Sequence, residues 1–141
     1  MARRDVFIDH LQHVALFNGC SRKDLQRVSN RSEDRHVAAG TTVVNEGDNG
    51  NEFFVIIDGT ARVSRQGRKI TTLKPGNVFG ELALLDNAPR NATVVADTDM
   101  ELVVVNERDF AELLDEIPGF ALKLLRNTAH RLREADARTI Q

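Results

Sequence analysis

A change in the spacing of hydrophobic residues divides this chain into three parts. Between residues 35 and 105, short runs rich in Val, Ile, Thr and Phe alternate with turn residues, which is typical of an antiparallel sandwich or barrel. Asp58-Gly59 falls between two of these runs and predicts a tight hairpin. The predicted strands are His36–Ala38, Thr42–Asn45, Phe53–Ile57, Thr60–Arg65, Lys69–Leu73, Ala92–Ala96 and Met100–Val105.

Some of these strands are predicted to be covered on both faces. The residues around Ile56-Ile57 and Val104 form continuous apolar runs rather than an alternation of apolar and polar positions. Such runs are typical of strands that are buried from both sides. Layers are therefore expected above and below this part of the sheet.

Helical spacing precedes the strands. Apolar residues between Val6 and Phe17 predict an amphipathic helix or two short helical pieces. Asn18-Gly19 interrupts the pattern, and Ser21 then has the position and chemistry of the N-cap of a second helix. The first part of the chain is thus a helical lead-in of residues 1–34.

Helical spacing also follows the strands. Asp109–Ile117 is predicted as a short helix, Pro118-Gly119 as a break, and a long helix runs from Phe120 to about Ala137. We expect one domain, with the lead-in at 1–34, the barrel at 35–105 and the C-terminal helices at 106–141. The apolar stripe predicted along the long helix is Ala121, Leu125, Thr128, Leu132 and Ala135, widened early by Leu124.

Composition and charge restrict the functional classes. The chain has 141 residues, 28% of them charged and 41% hydrophobic, which suits one globular domain with a sizeable core. A net charge of −2 gives no whole-molecule reason to bind DNA or an acidic membrane, and no apolar run has membrane-spanning length. Cys20, as the single cysteine, excludes an internal disulfide and is interpreted as structural. We expect a cytoplasmic protein.

The segment from Phe79 to Val95 carries the candidate chemistry. Gly80 permits a sharp turn and the close approach of a ligand. If a short helical turn follows, the amides of Leu82 and Ala83 are free at its start and form a phosphate-sized anion hole. Arg90 returns after the turn with a planar guanidinium that binds phosphate through two parallel hydrogen bonds.

Glu81 is unexpected beside an anion site, because a carboxylate repels phosphate. Its presence is explained if the ligand also offers a hydroxyl donor, as a ribose does, and if Arg90 offsets the negative charge. The pattern therefore narrows the ligand from any phosphate to a phosphate attached to a sugar with a free hydroxyl.

These residues resemble a known family. Phe79 to Leu84, Pro89-Arg90 and Ala92-Thr93 are similar to the phosphate-binding cassette of cyclic nucleotide-binding domains, found in protein kinase A regulatory subunits, cyclic nucleotide-gated channels and the bacterial catabolite activator. The segment from Glu46 to Gly59 resembles the first barrel segment of that family, although Asn51 stands where an acid is usual.

The resemblance implies a fold and a set of ligand contacts. The fold class is α+β, mainly β: an antiparallel jelly-roll-like β-barrel, or double-stranded β-helix, flanked by N-terminal and C-terminal helices. Glu81 would accept from the ribose 2′-hydroxyl, and Arg90 with the two amides would hold the cyclic phosphate. The implied ligand-binding residues are Gly80, Glu81, Leu82, Ala83, Arg90, Asn91 and Ala92, and the lid candidates over the base are Leu132, Ala135 and Asp136.

The resemblance also leaves the choice of nucleotide open. Kinase regulatory subunits typically carry Ala at the position of Asn91, whereas cGMP-preferring and bacterial members often carry Thr or Ser. Because an Asn side chain both donates and accepts, Asn91 suits phosphate or the guanine edge. The expected ligand is cAMP, with cGMP as the other candidate.

The sequence offers three candidate functions. The favoured one is a non-catalytic receptor module that signals by repositioning its terminal helices to a downstream protein or fused domain, as a monomer or weak homodimer. The alternative is the sensor domain of a Crp/Fnr-like transcription regulator whose DNA-binding domain is absent from this chain, so the chain itself is not expected to bind DNA. A metal-dependent barrel enzyme is disfavoured, because His36 is the only barrel histidine and His10 and His13 lack a third ligand nearby. No catalytic residue, metal or cofactor is predicted.

Overall fold

Two antiparallel sheets form the body of the protein. The computed structural model describes residues 8–81, 84 and 88–140, without the side chains of residues 15 and 135–140. Its strands are β1 Glu33–Val37, β2 Thr42–Val44, β3 Glu52–Asp58, β4 Ala61–Arg65, β5 Arg68–Leu73, β6 Val78–Phe79, β7 Thr93–Ala96 and β8 Met100–Asn106. All seven predicted strands are present, and β6 is an additional strand that the sequence did not predict.

The sheets pack as a jelly-roll-like sandwich. One has the strand order β1-β8-β3-β6 and the other β2-β7-β4-β5, with antiparallel pairing throughout. The jelly-roll-like arrangement agrees with the prediction, but no strand pairing joins the two sheets in the described residues, so they do not close into the predicted barrel. Each sheet instead ends in edge strands, β1 and β6 in the first and β2 and β5 in the second.

Strand β3 separates two hydrophobic cores. Phe53 and Val55 belong to the core shared with the helices, whereas Phe54 and Ile56 belong to the core between the sheets. Because successive side chains of a strand point to opposite faces, a continuous apolar run faces two layers at once. The predicted coverage on both faces is confirmed for this strand and for β8, whose residues 102–105 are all buried.

The helices cover one face of the first sheet. They are α1 Arg22–Asn30, α2 Glu107–Glu116 and α3 Phe120–Ile140, preceded by helical residues 8–12 and a 3-10 turn at Ala15–Phe17. Ser21 is confirmed as an N-cap, since its hydroxyl accepts from the Asp24 amide at 3.1 Å. None of the helices in the described part is long and apolar enough to cross a membrane.

Aromatic rings connect the helices to β3. The ring of Phe53 lies 5.4 Å from that of Phe110 in α2, and Phe110 lies 6.2 Å from Phe120 at the start of α3. Phe120 also packs on Phe17, with ring centroids 5.8 Å apart. Aromatic pairs at these separations stabilise beyond the burial of their area. The start of α3 is therefore anchored in the helical core.

The face that α3 turns toward the core differs from the predicted stripe. Phe120 and Leu124 are buried, whereas Leu125 is 64% exposed and Leu132 is 62% exposed. Residues at i and i+4 share a helix face, so anchoring at Phe120 brings Leu124 inward and turns its neighbour Leu125 to solvent. The predicted stripe was one residue out of register with the face that packs.

The predicted hairpin at Asp58-Gly59 is wrong. Strands β3 and β4, on either side of it, lie in different sheets, and Gly59 has φ +90° where the chain crosses between them. A Cβ at this position would overlap the Asp99 carbonyl oxygen. The tight hairpin lies instead at Gln66-Gly67, where φ values of 53° and 78° join β4 to β5 with Arg65 opposite Arg68.

Replacing the glycine by alanine is expected to lower the stability of the protein by different amounts at the two turns. Gly67→Ala places a side chain in open space at positive φ, and we expect a loss of about 1–2 kcal/mol of stability. Gly59→Ala adds a steric overlap and should cost about 1–3 kcal/mol more. Urea unfolding of both variants measures the difference, and equal costs would contradict the close approach at Gly59.

Candidate functional site

Two charged side chains of the predicted site are buried. Among the described residues, the buried polar side chains are Ser29, Glu81 and Arg90, and the last two are 1% and 8% exposed. Burying a charge is costly unless it is paired or hydrogen-bonded. Both residues were predicted from the sequence as ligand contacts, and their environments show how each charge is held.

The backbone of Arg90 is hydrogen-bonded to the turn between β2 and β3. Its amide donates to the Asp48 carbonyl at 2.8 Å, and its carbonyl accepts from the Gly47 amide at 2.8 Å. An isolated antiparallel bridge between Asn49 and Pro89 continues this pairing. The turn and the segment after residue 87 therefore form a small unit that fixes where Arg90 leaves the backbone.

The guanidinium of Arg90 is held by neutral groups. Its Nη1 donates to the Gly80 carbonyl at 2.9 Å and its Nη2 to the Glu52 carbonyl at 2.8 Å, while Cζ lies 5.8 Å from the centre of the Phe54 ring. Burial lowers the pKa of Arg90, and the negative charge of Glu52 acts in the opposite direction. Two carbonyls and an aromatic face orient the cation without neutralising it.

Nor does a carboxylate neutralise Arg90 in the described part of the chain. The carboxylate of Glu52, whose charge acts on Arg90, is bound by Arg35 through both of its oxygens, at 3.2 and 2.8 Å. The positive charge of Arg90 thus remains available to an anion. Charge-assisted hydrogen bonds from a guanidinium to phosphate are among the stronger polar contacts in proteins.

Two glycines make room for this guanidinium. Gly80 has φ +90°, and a Cβ there would lie 2.7 Å from Arg90 Nη1. A Cβ at Gly50 would overlap Arg90 Nε. Gly80 was predicted as part of the site, whereas Gly50 was missed, because its proximity to Arg90 depends on the folding of a distant turn onto the cassette.

Glu81 meets a cation that the sequence did not single out. Its carboxylate Oε1 forms an ion pair with Nη2 of Arg131 in α3. In the described part of the chain, these two atoms and Arg131 Nε are buried without a hydrogen bond of regular geometry. Burial lowers the pKa of Arg131. Arg90, expected from the sequence to offset the charge of Glu81, bonds carbonyls instead.

The helix periodicity explains how Arg131 reaches the site. Phe120, Leu124, Thr128 and Arg131 follow one another at intervals of three or four residues and share a face. The first two are buried in the helical core, and the Thr128 hydroxyl donates to the Leu124 carbonyl at 2.9 Å. Continuing the Phe120–Leu124 face to Arg131 is the signal in the sequence that could have identified this residue.

The other residues predicted for the site lie partly inside and partly outside the described part of the chain. Leu82 and Ala83 lie outside the described residues, although Glu81 and Leu84 on either side are helical. Asn91 is exposed, and its backbone carbonyl accepts from Arg65 Nε at 2.9 Å; Ala92 is half-buried. Leu132 lies on the exposed side of α3, and the side chains of Ala135 and Asp136 are outside the description, so the lid roles stay predictions.

Other reactive groups do not assemble into a second centre in the described residues. His10 and His13 are exposed at the rim of a cavity of about 180 Å³, whose other walls include Ile56 and Pro75, and which excludes Glu81 and Arg90. Burial raises the pKa of the Cys20 thiol, although Lys123, with Nζ 3.8 Å from Sγ, acts against it. No three His, Cys, Asp or Glu side chains among the described residues group as metal ligands.

The comparisons with known proteins agree on one family. The family model of the cyclic nucleotide-binding domain matches residues 34–117. The cAMP-dependent protein kinase regulatory subunit of Mycosarcoma maydis is 35% identical over 153 residues, which covers 97% of this chain and 29% of that protein. The cyclic AMP receptor protein of Thermus thermophilus is 32% identical over 126 residues, or 86% of this chain and 58% of that protein. The chain spans less than a third of the kinase subunits it matches.

Solved structures agree on the fold. The complex of Sp-2Cl-cAMPS with PKAR CBD2 has a TM-score of 0.81 at 30% identity, covering 96% of this chain and 92% of that chain. The Thermus thermophilus catabolite activator protein has a TM-score of 0.82 at 32% identity, over 89% and 61% of the two chains. A cAMP-independent kinase regulatory subunit from Trypanosoma brucei has the same fold, with a TM-score of 0.83 at 20% identity over 99% and 50% of the two chains.

The contact between Gly50 and Arg90 can be tested without a ligand. Gly50→Ala should displace the guanidinium from the Gly80 and Glu52 carbonyls and destabilise the protein. In an Arg90→Ala background the same substitution should cost less, with a coupling of about 0.5–3 kcal/mol. A double-mutant cycle measured by urea unfolding checks this, and additive costs would show that Gly50 does not position Arg90.

Proposed function

The chain belongs to the cyclic nucleotide-binding domain family, and we propose that it is a non-catalytic receptor module for cAMP. The observation that carries the proposal is the buried guanidinium of Arg90, oriented by two carbonyls and left without a carboxylate partner in the described residues. A singly charged cyclic phosphate supplies the missing negative charge. The proposed receptor is a single domain of residues 1–141, with its binding cassette at residues 79–93.

The proposed contacts follow the chemistry of each group. Arg90 binds the exocyclic oxygens of the cyclic phosphate, together with the amides of Leu82 and Ala83. Glu81 accepts a hydrogen bond from the ribose 2′-hydroxyl. The absence of a side chain at Gly80 lets the ligand reach the backbone, and Asn91 and Ala92 line the other side of the phosphate.

The relatives support cAMP as the ligand. The kinase regulatory subunits and the Thermus receptor are named for cAMP, and one solved neighbour holds the cAMP derivative Sp-2Cl-cAMPS. The chain is at least 30% identical to each of these proteins. The side chain of Asn91 offers the guanine edge of cGMP a hydrogen-bond partner, which makes cGMP the competing ligand.

The proposed output is a change in the terminal helices. A ligand shifts a conformational equilibrium only by its difference in affinity for the two states. Helix α3 contacts the site directly through Arg131 and is anchored to the helical core through Phe120. A rearrangement at the cassette therefore reaches α3, and through it a downstream protein or a fused domain.

A second candidate is the sensor domain of a transcription regulator. It is favoured by the similarity to the Thermus receptor, 58% of whose length this chain matches. Both candidates bind the nucleotide in the same way and differ in their output. A natural gene product that continues into a helix-turn-helix would decide for the regulator.

Loss of the Arg90 guanidinium should weaken binding. Arg90→Ala removes charge-assisted hydrogen bonds of about 1.5–3 kcal/mol, which corresponds to roughly 10- to 150-fold in affinity for cAMP. Isothermal titration calorimetry measures the change, with Arg68→Ala on the exposed β4–β5 hairpin as a matched control. Unchanged binding by Arg90→Ala would remove Arg90 from the site.

A parallel titration identifies the ligand. We expect micromolar or tighter binding of cAMP, weaker binding of cGMP and no comparable binding of linear 5′-AMP, whose phosphate carries a different charge and geometry. If neither cyclic nucleotide binds the parent protein at micromolar concentration, the proposed function is wrong.

A further inference from the structure

The side chain of Glu52 lies on the same face of the first sheet as the Arg90 guanidinium. Successive side chains of a strand alternate between its two faces, so Glu52, the first residue of β3, shares the face of Phe54. Arg90 Cζ lies 5.8 Å from the centre of the Phe54 ring. Burial lowers the pKa of Arg90, and the negative charge of Glu52 opposes that effect. An acidic group is therefore close enough to act on this cation.

The backbone and the side chain of Glu52 have different partners. Its carbonyl accepts from Arg90 Nη2 at 2.8 Å, whereas the two oxygens of its carboxylate accept from the two terminal nitrogens of Arg35 in β1, at 3.2 and 2.8 Å. The hydrogen bonds to Glu52 raise the pKa of Arg35. Such two-pronged pairs are among the stronger polar contacts and fix the orientation of both groups. Glu52 thus offers Arg90 a neutral acceptor while its charge is bound elsewhere.

We propose that Arg35 is a positioning residue that keeps the phosphate site free of an internal competitor. By binding both carboxylate oxygens of Glu52, it prevents this carboxylate from pairing with Arg90 in the place of a cyclic phosphate. The inference rests on the proposed function, because it assigns Arg90 to an anionic ligand. It adds a residue outside the cassette that sets the affinity for that ligand.

The register of the first sheet brings Arg35 to the required face. Arg35 pairs with Leu102 of β8, and Leu102 pairs with Ile56 of β3. Residues directly opposite each other in antiparallel strands have their side chains on one face. Leu102 and Ile56 both belong to the core between the sheets, so Arg35 starts from that face and extends along it to Glu52. Three paired strands therefore place the guanidinium of Arg35 beside this carboxylate.

The charge balance at Arg90 explains why a released carboxylate would compete. Arg90 is 8% exposed, and its hydrogen bonds in the described structure go to the neutral carbonyls of Gly80 and Glu52. A buried cation is stabilised by a negatively charged partner. A carboxylate on the neighbouring strand is present at a high effective concentration, whereas the nucleotide must bind from solution. Any stability of an internal pair is therefore subtracted from the binding free energy of the phosphate.

The test measures the affinity for cAMP in two backgrounds. Arg35→Gln should lower the affinity by about 5- to 30-fold, a range that allows for the partial exposure of Glu52 to solvent. In a Glu52→Gln background, the same substitution should lower it by less than about 2-fold, because the competing charge is gone. Calorimetric titration gives the affinities, and thermal unfolding verifies that each variant is folded.

Two further variants separate positioning from packing. Arg35→Lys keeps a cation opposite Glu52 and should restore part of the affinity, although it lacks the planar fork of a guanidinium. Glu33→Gln removes a second, exposed acid that also contacts Arg35, and it should leave the affinity unchanged. Together they distinguish the hold on Glu52 from the general stability of β1.

A measurement without ligand detects the competing pair itself. Glu52→Gln and Arg90→Ala form a double-mutant cycle, whose coupling is measured by urea unfolding. The coupling should be larger in an Arg35→Gln background than in the parent, because the released carboxylate then pairs with Arg90. Equal coupling in the two backgrounds would show that the carboxylate does not turn to Arg90, and the inference would be wrong.

The titrations overturn the inference and the proposed function by different results. If the parent binds cAMP and Arg35→Gln binds it equally well or more tightly, the inference is wrong and the proposed function stands. A loss of affinity that persists in the Glu52→Gln background would make Arg35 a structural residue of β1 and would also overturn the inference. Failure of the parent to bind either cyclic nucleotide overturns both proposals at once.

Discussion

Much of the local structure depends on the desolvation of one guanidinium. Moving an arginine cation out of water without a carboxylate partner is unfavourable unless other groups replace its hydration. Around Arg90 these groups are two carbonyl oxygens and the face of Phe54, while the bridge between Asn49 and Pro89 fixes the backbone. Three segments meet at this cation: strand β6, the turn before β3 and the residues after 87. The groups that replace its hydration therefore fix the position of both ends of the cassette.

The sequence predicted the strands better than their pairing. Alternation and apolar runs depend on which faces of a strand are buried, and they located seven of the eight strands in the described part of the chain. A turn dipeptide specifies only the local backbone angles. Asp58-Gly59 has the residues of a hairpin, but the contact of Gly59 with Asp99 sends the chain to the opposite sheet. Which sheet receives the next strand is decided by packing that no short window of sequence contains.

The candidate site likewise contains residues that the sequence predicted and residues that only the folded structure brings into place. The sequence predicted Gly80, Glu81 and Arg90 because they lie close together in the chain. Their residue types in that order already indicate a binding site for a phosphate and a sugar. Gly50 and Arg131 lie roughly 40 residues away on either side and reach the site only through the folded turn and helix. The position of Arg131 further depends on the register of α3, where choosing Leu125 instead of Leu124 as the packed residue rotates the helix by about 100°.

The two-sided burial of β3 has an evolutionary consequence. Phe53 faces the aromatic cluster of the helices and Phe54 stacks on Phe79, 4.7 Å away, beneath the Arg90 guanidinium. Since side chains alternate, inserting or deleting one residue within this strand would exchange the two sets and leave each core with the wrong shapes. Homologous chains are therefore free to vary in length at the open β4–β5 hairpin, whereas β3 must keep its residue count while individual side chains change.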